Sequence, residues 1–147
     1  MEKMNFSISI NAPKEKVWKV LWDDATYRTW TSAFMEGSYA ETDNWKEGSK
    51  VLFLDGKGNG MVSMVAANKP NEYMSFKHIG VVKNGEEDLS SDEVKGWAGA
   101  HENYTLKQTD GVTELNVEMD ISEDYKKYFT ETWPKALDKV KELAEEV

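Results

Sequence analysis

Polar and apolar residues alternate at the start of the chain. Met4, Phe6, Ile8 and Ile10 are interleaved with Asn5, Ser7 and Ser9, which predicts a strand with one buried face over 3–10. The period then lengthens. In APKEKVWKVLW, Val17 and Leu21 are four apart, as are Trp18 and Trp22, and this spacing predicts a helix with a broad apolar face. Pro13 suits its first turn and Glu15 its N-terminus. DDATYRTWT restarts with acids and predicts a second short helix.

Between 36 and 121 the signals are for strands. GSYAET is a weak one and SKVLFLD a strong one, closed by GKGNG. NGMVSMVAAN follows and stops at Pro70, and EYMSFKHIGVV and GAHENYTLKQTDG come next. VTELNVEMDI ends the series with Leu115, Val117, Met119 and Ile121 on one face. The count is about six strands after the helices, about seven with the first, in an antiparallel meander. Residues 83–98 contain NGEEDLSSDE, acidic and without period, and read as a mobile loop. At the C-terminus Phe129, Trp133, Leu137, Val140 and Ala144 form an apolar stripe behind a candidate N-cap, Ser122. Pro134 predicts a kink or a break near 129–132, or a short helix followed by a new one.

Two residues break this pattern. In the strand before the Asp110-Gly111 turn, Glu102 shares the apolar face with Tyr104 and Leu106, while His101, Asn103, Thr105 and Lys107 take the other. In EYMSFKHIG the apolar face runs Met74, Phe76 and then His78. Consecutive strands of a meander are neighbours. A symmetric hairpin centred near Ser90 makes paired positions add to about 180. His78 then faces Glu102, Phe76 faces Tyr104 and Met74 faces Leu106; a slip by two makes the first pair diagonal and still within reach. A buried carboxylate is costly alone and tolerable beside a histidine. The pair is a polar anchor for a ligand, a structural pair, or an acid–base dyad, in that order of preference.

Composition narrows the function classes. The 147 residues suffice for one domain, 1–147, and are 39% hydrophobic and 12% aromatic, a globular balance. The net charge of −9 disfavours nucleic acid and anionic membrane surfaces as partners. With no cysteine there are no disulfides, zinc-thiolate sites or thiol catalysis. MEKMNFSISI lacks the apolar run of a signal peptide, and no stretch has the length and apolarity of a membrane span, so cytoplasmic location is the expectation. Two histidines, His78 and His101, show no metal-ligand spacing, and no Gly-x-Ser-x-Gly elbow occurs. GKGNG lies between strands and reads as a hairpin turn rather than a phosphate cradle, and the acidic run at 86–93 lacks an EF-hand pattern. No cofactor, metal or catalytic residue is expected.

INAPKEKVWKVL with Pro13, Val17 and Trp18, YRTWT with Trp30, Gly60-Met61-Val62 before Pro70 and YMSF, and TWPKALDKVKEL with Trp133, Leu137 and Leu143 stand in a telling order. Together they resemble the START-like (SRPBCC, helix-grip) superfamily, and within it the Hsp90-ATPase-activator-homologue family. Pro134 departs from the family's C-terminal helix. The resemblance implies an α+β helix-grip fold: a curved antiparallel sheet wrapped on a long C-terminal helix, with two short helices after the first strand. It also implies a cavity between sheet and helix that holds a small hydrophobic or amphipathic molecule. The family's eukaryotic co-chaperones carry a further N-terminal domain for which this chain has no room, so a chaperone partner is only weakly implied. Fold does not settle function.

Six tryptophans are a heavy aromatic load, either plain core or the lining of that cavity. The expected ligand-binding residues are Trp30, Phe76, His78, Trp97, Glu102, Tyr104, Trp133 and Leu137, with Trp97 folding the end of the 83–98 segment over the cavity mouth. The partner is a small hydrophobic or aromatic molecule. Two rival readings stay open: a cavity enzyme with acid–base chemistry of cyclase or isomerase type, using Glu102, His78 or Tyr104, and a chaperone-associated interaction module with an exposed apolar patch.

Overall fold

The computed structural model describes residues 2–146. Strand β1 (Glu2–Ile10) leads into helices α1 (Lys14–Trp22) and α2 (Asp24–Thr31). The meander follows as β2 (Tyr39–Thr42), β3 (Lys50–Leu54), β4 (Gly60–Lys69), β5 (Tyr73–Lys83), β6 (Glu86–Asp88), β7 (His101–Thr109) and β8 (Val112–Ile121), with the short helix α3 (Asp92–Lys95) between β6 and β7. A 3₁₀ turn, Glu123–Tyr125, opens directly into α4 (Lys126–Glu145). Among the described residues the sheet has eight strands in the order β1-β8-β7-β5-β4-β3-β2, with β6 paired to β5 alone. All pairings are antiparallel. This is the expected α+β helix-grip architecture.

One sheet face carries the core. Ile10, Val51, Met74, Phe76, Tyr104, Leu106, Leu115 and Val117 bury against Val17, Leu21 and Trp22 of α1, Tyr27 and Trp30 of α2, and Trp133, Leu137 and Val140 of α4. The apolar stripe of the C-terminal segment is therefore the stripe that meets the sheet. Trp133 is its anchor, 2% exposed. It stacks on Phe6 at 5.9 Å between ring centroids, meets Phe34 edge-on at 4.8 Å, and donates its indole N–H to Met119 Sδ at 3.0 Å. Among the described residues no helix is long and apolar enough to cross a membrane.

Three expectations are corrected. The 83–98 segment is folded rather than an irregular loop. Asn84 and Gly85 both have positive φ, 51° and 81°, which turns the chain into β6 along the end of β5, as Asn-Gly does in a two-residue hairpin. Gly80 makes this possible: a Cβ there would lie 2.3 Å from the Leu89 side chain and 2.5 Å from the Asp88 carbonyl. Ser91 caps α3, accepting from the Val94 N–H at 3.3 Å, and Val94 is fully buried. The strand count rises to eight accordingly. Pro134 neither breaks α4 nor starts it, since the helix is continuous from Lys126 to Glu145. Pro134 and Thr130, whose carbonyl loses its helical donor, are both exposed, so water reaches that carbonyl. The β5–β7 register is the slipped alternative: Phe76 pairs with Glu102 and Met74 with Tyr104.

Removing the anchor of α4 tests this packing. Trp133→Ala is expected to lower unfolding free energy by about 3–5 kcal/mol in urea melts, and a loss below about 1 kcal/mol would place α4 elsewhere.

Candidate functional site

The two exceptions to the apolar pattern meet on the core face. The slipped register sets His78 diagonal to Glu102, and His78 Nε2 lies 3.2 Å from Glu102 Oε1. A register shift in the β4–β5 ladder after Val62 places Ser63 directly opposite His78, and Ser63 Oγ lies 2.6 Å from His78 Nδ1. On the other side the Tyr104 hydroxyl donates to Glu102 Oε2. The result is a four-membered chain, Ser63–His78–Glu102–Tyr104, in which Tyr104 donates to the second carboxylate oxygen. With Glu102 a carboxylate, the Nε2–H of His78 donates to it, and the Ser63 hydroxyl, donor and acceptor both, meets Nδ1 whether or not that nitrogen carries a proton. The His78 and Glu102 side chains are 7% and 16% exposed. Among the described residues no Lys or Arg lies within ion-pairing distance of Glu102. Among the described residues no three His, Cys, Asp or Glu side chains converge as a metal ion would need.

Aromatic rings enclose the chain. Trp22 meets Tyr104 edge-on at 4.9 Å and Phe76 at 5.4 Å, while Phe53 meets Phe76 at 5.2 Å and His78 at 6.1 Å. Burial pushes the Tyr104 hydroxyl well above its ordinary pKa, and the negative charge of Glu102 pushes it further. Tyr27 on α2 is raised for the same two reasons, burial first.

An open cleft of about 430 Å³ lies outside this layer, between the α1–α2 junction and the β2–β3 connection. Trp18, Trp22, Tyr27 and Trp45 form its aromatic walls, and Lys19, Asp23, Asp24 and Asn44 stand among its polar lining. Trp45 is held at some conformational expense: Asn44 and Trp45 adopt consecutive left-handed conformations, φ 57° and 58°, which non-glycine residues rarely populate. The strained turn seats the Trp45 indole 4.9 Å from Trp22, with its N–H donating to the Trp22 carbonyl at 2.9 Å. Trp22 Nε1 is buried and has no hydrogen-bond partner among the described residues. A second groove, of about 370 Å³, runs along the start of α4 between charged side chains.

Of the expected site residues, His78, Glu102, Tyr104 and Phe76 come together. Trp30 and Trp133 join the same aromatic cluster through Tyr104, at 6.5 and 6.1 Å, and Leu137 packs in the core beside them. Trp97 does not: it is half-buried after α3, and its ring pairs with none of the cluster. These rings pack between the sheet and the helices, and neither the cleft at the α1–α2 junction nor the groove along α4 is lined by His78, Glu102 or Tyr104. Ser63, Trp22, Tyr27 and Trp45 were not singled out as site residues in the sequence. Trp45, a lone indole in a polar turn between two strands, carried the one signal that could have found it.

The sequence profile of the Activator of Hsp90 ATPase homolog 1-like proteins matches residues 11–145. The chain belongs to this family. Solved structures similar to this member include the Aha1 dimer of Colwellia psychrerythraea, at 19% identity and TM-score 0.73, covering 99% of this chain and 97% of that one. Protein MLL2253 of Mesorhizobium loti is similar at 18% identity and TM-score 0.72, covering 97% and 96%. CalU16 of Micromonospora echinospora is similar at 14% identity and TM-score 0.67, covering 97% and 76%. At these identities the likeness bears on fold alone. Among curated proteins no match is found.

The two buried tyrosines give this family member an alkaline signature. A phenol whose pKa is raised by folding contributes stability that is intact below about pH 10 and lost above it, where only the unfolded chain ionises. The loss is expected at about 1.4 kcal/mol per pH unit for each of Tyr27 and Tyr104. Urea melts from pH 8 to 11.5 on the protein and on Tyr27→Phe/Tyr104→Phe should show the variant's slope shallower by about two protons' worth. Equal slopes would mean that the two hydroxyls are solvated.

Proposed function

We propose that the protein binds one small hydrophobic or amphipathic molecule between the tryptophan-lined cleft and the Ser63–His78–Glu102–Tyr104 chain. The observation that carries this reading is Glu102 itself. A packed core gains nothing from a carboxylate, and replacing such groups with apolar ones is often neutral or stabilising. Here one is kept, aligned by His78 and Tyr104 and surrounded by rings. Two features beside it support the same reading. Trp22, in the wall shared by cleft and cluster, has an indole N–H without a hydrogen-bond partner among the described residues, and buried polar groups without a partner are few in proteins. Strain at Asn44 and Trp45 is spent to hold one more indole in that wall. In this reading the ligand's apolar frame lies against Trp18, Trp22 and Trp45, its polar end points toward Glu102, and Phe76, Trp30, Trp133 and Leu137 back the site.

Tryptophan fluorescence and calorimetric titration of a panel of aromatic and aliphatic ligands test this, alongside native mass spectrometry of the protein from its own host. Saturable binding of one molecule is expected, weakened at least about fivefold by Trp45→Ala, which removes a wall at a hot-spot-like position. A panel with no saturable binder would end the reading.

One observation favours a second reading, a chaperone-associated role like that in the family's name. Met35, Tyr125 and Tyr128 are 50%, 60% and 43% exposed where the end of α2 meets the start of α4, and the Tyr128 hydroxyl ties to the Phe34 carbonyl at 2.7 Å. Stimulation of Hsp90 ATP hydrolysis by this protein, abolished by Tyr125→Ser/Tyr128→Ser, is the corresponding expectation.

A further inference from the structure

We infer that β1 is an interface for a second copy of this chain: two β1 strands pair antiparallel across a two-fold axis at Asn5 and join the two sheets into one. β1 is an edge strand of nine residues, and its ladder with β8 runs without a bulge. Which of its backbone groups face outward follows from the registers. The Leu106 N–H donates to the Glu72 carbonyl at 2.9 Å, so even-numbered residues of β7 address β5 and odd-numbered ones address β8. Carried through the unbroken β7–β8 and β8–β1 registers, this alternation turns the N–H and C=O groups of Lys3, Asn5, Ser7 and Ser9 away from the sheet. Lys141 Nζ donates to the Ser9 carbonyl at 3.1 Å, as that direction requires. Among the described residues nothing bonds the outward groups of Lys3, Asn5 and Ser7.

Natural edge strands are guarded by charge, proline, bulges or shortness. The opposite edge, β2, has only four residues. β1 has none of these guards. Residues 4–13 carry no charge in a chain that is 31% charged, and the other uncharged run of such length, 58–68, falls on β4, which is paired on both sides. Glu2 and Lys3, at the start of β1, are already held by Lys126 at 2.8 Å and Glu118 at 3.6 Å. The occupant is a second copy because the strand is its own complement. About Asn5, Lys3 meets Ser7 and Met4 meets Phe6, twice each, and about six backbone hydrogen bonds form from groups that are free in one chain. The half-buried Met4 and Phe6 gain apolar partners beside the Phe6–Trp133 stack. Pairing about Phe6 instead would call on the Ser9 carbonyl, which Lys141 holds. At −9 per chain, association is opposed wherever charged faces meet, and this edge is where they do not. With both β1 edges consumed, the two-fold closes the assembly as a dimer.

Sedimentation velocity tests this. The wild-type protein is expected to pass from monomer to dimer within about 5–300 µM. Asn5→Pro removes an outward N–H that β8 does not use, and Ser7→Lys sets like charges opposite one another at two positions. Each is expected to weaken the dimer at least about fivefold, and Ser7→Lys, on an exposed position, decides the matter even if Asn5→Pro does not fold. The chain has no cysteine, so cross-linking reads the register directly. Asn5→Cys is expected to form a disulfide-linked homodimer under mild oxidation, because paired Cα atoms at the axis lie about 5.5 Å apart, and Ser9→Cys is not. A wild-type protein monomeric throughout this range overturns the inference, whether β1 then stays bare or takes a strand from another protein. So does a dimer indifferent to Ser7→Lys, or an Asn5→Cys variant that cross-links no better than Ser9→Cys.

Discussion

A carboxylate among aromatic rings has to be held by donors that the surrounding backbone puts within reach, and much of this molecule is arranged so that Glu102 is. Its two oxygens are met by His78 on β5 and Tyr104 on its own strand, and His78 is met in turn by Ser63 on β4. Three strands must therefore keep one register. The slip between β5 and β7 and the irregularity in the β4–β5 ladder are what bring these side chains to one place. Shifting either ladder by one residue would turn His78 or Glu102 to the opposite face and strand its partner.

The helices complete the enclosure. α1 brings Trp22 against Tyr104 and Phe76, α2 brings Tyr27 and Trp30, and α4 brings Trp133. Each ring has low-dielectric neighbours, which makes the hydrogen bonds of the polar chain strong and the loss of any one of them costly. The same enclosure separates the chain from the cleft by a layer of rings, one of which, Trp45, depends on a strained turn for its position. Fold and candidate site are thus two aspects of a single packing problem.

Much of this was legible in the residues. Strict alternation in HENYTL set Glu102 inward, alternation in YMSFKH set His78 inward, and the meander made the two strands neighbours. The resemblance carried the architecture. What escaped was what depends on long-range or subtle local geometry. Ser63 reaches His78 through a ladder irregularity that period-two reading does not foresee. Asn84-Gly85 was hidden in an acidic stretch whose strand is only three residues long. Pro134 was tolerated because its side of α4 faces water, which a sequence pattern does not price. Whether large rings line a space or fill it depends on side-chain packing, not on sequence spacing, so the aromatic load alone did not say which of them would meet in one cluster.

The central claim is that Glu102 is held by the Nε2–H of His78, with Ser63 on the opposite ring nitrogen. Long-range ¹⁵N-correlated NMR of the imidazoles at pH 7 reads this directly. The account predicts that His78 shows a protonated Nε2. An Nδ1–H tautomer would turn a lone pair toward the carboxylate and would contradict it.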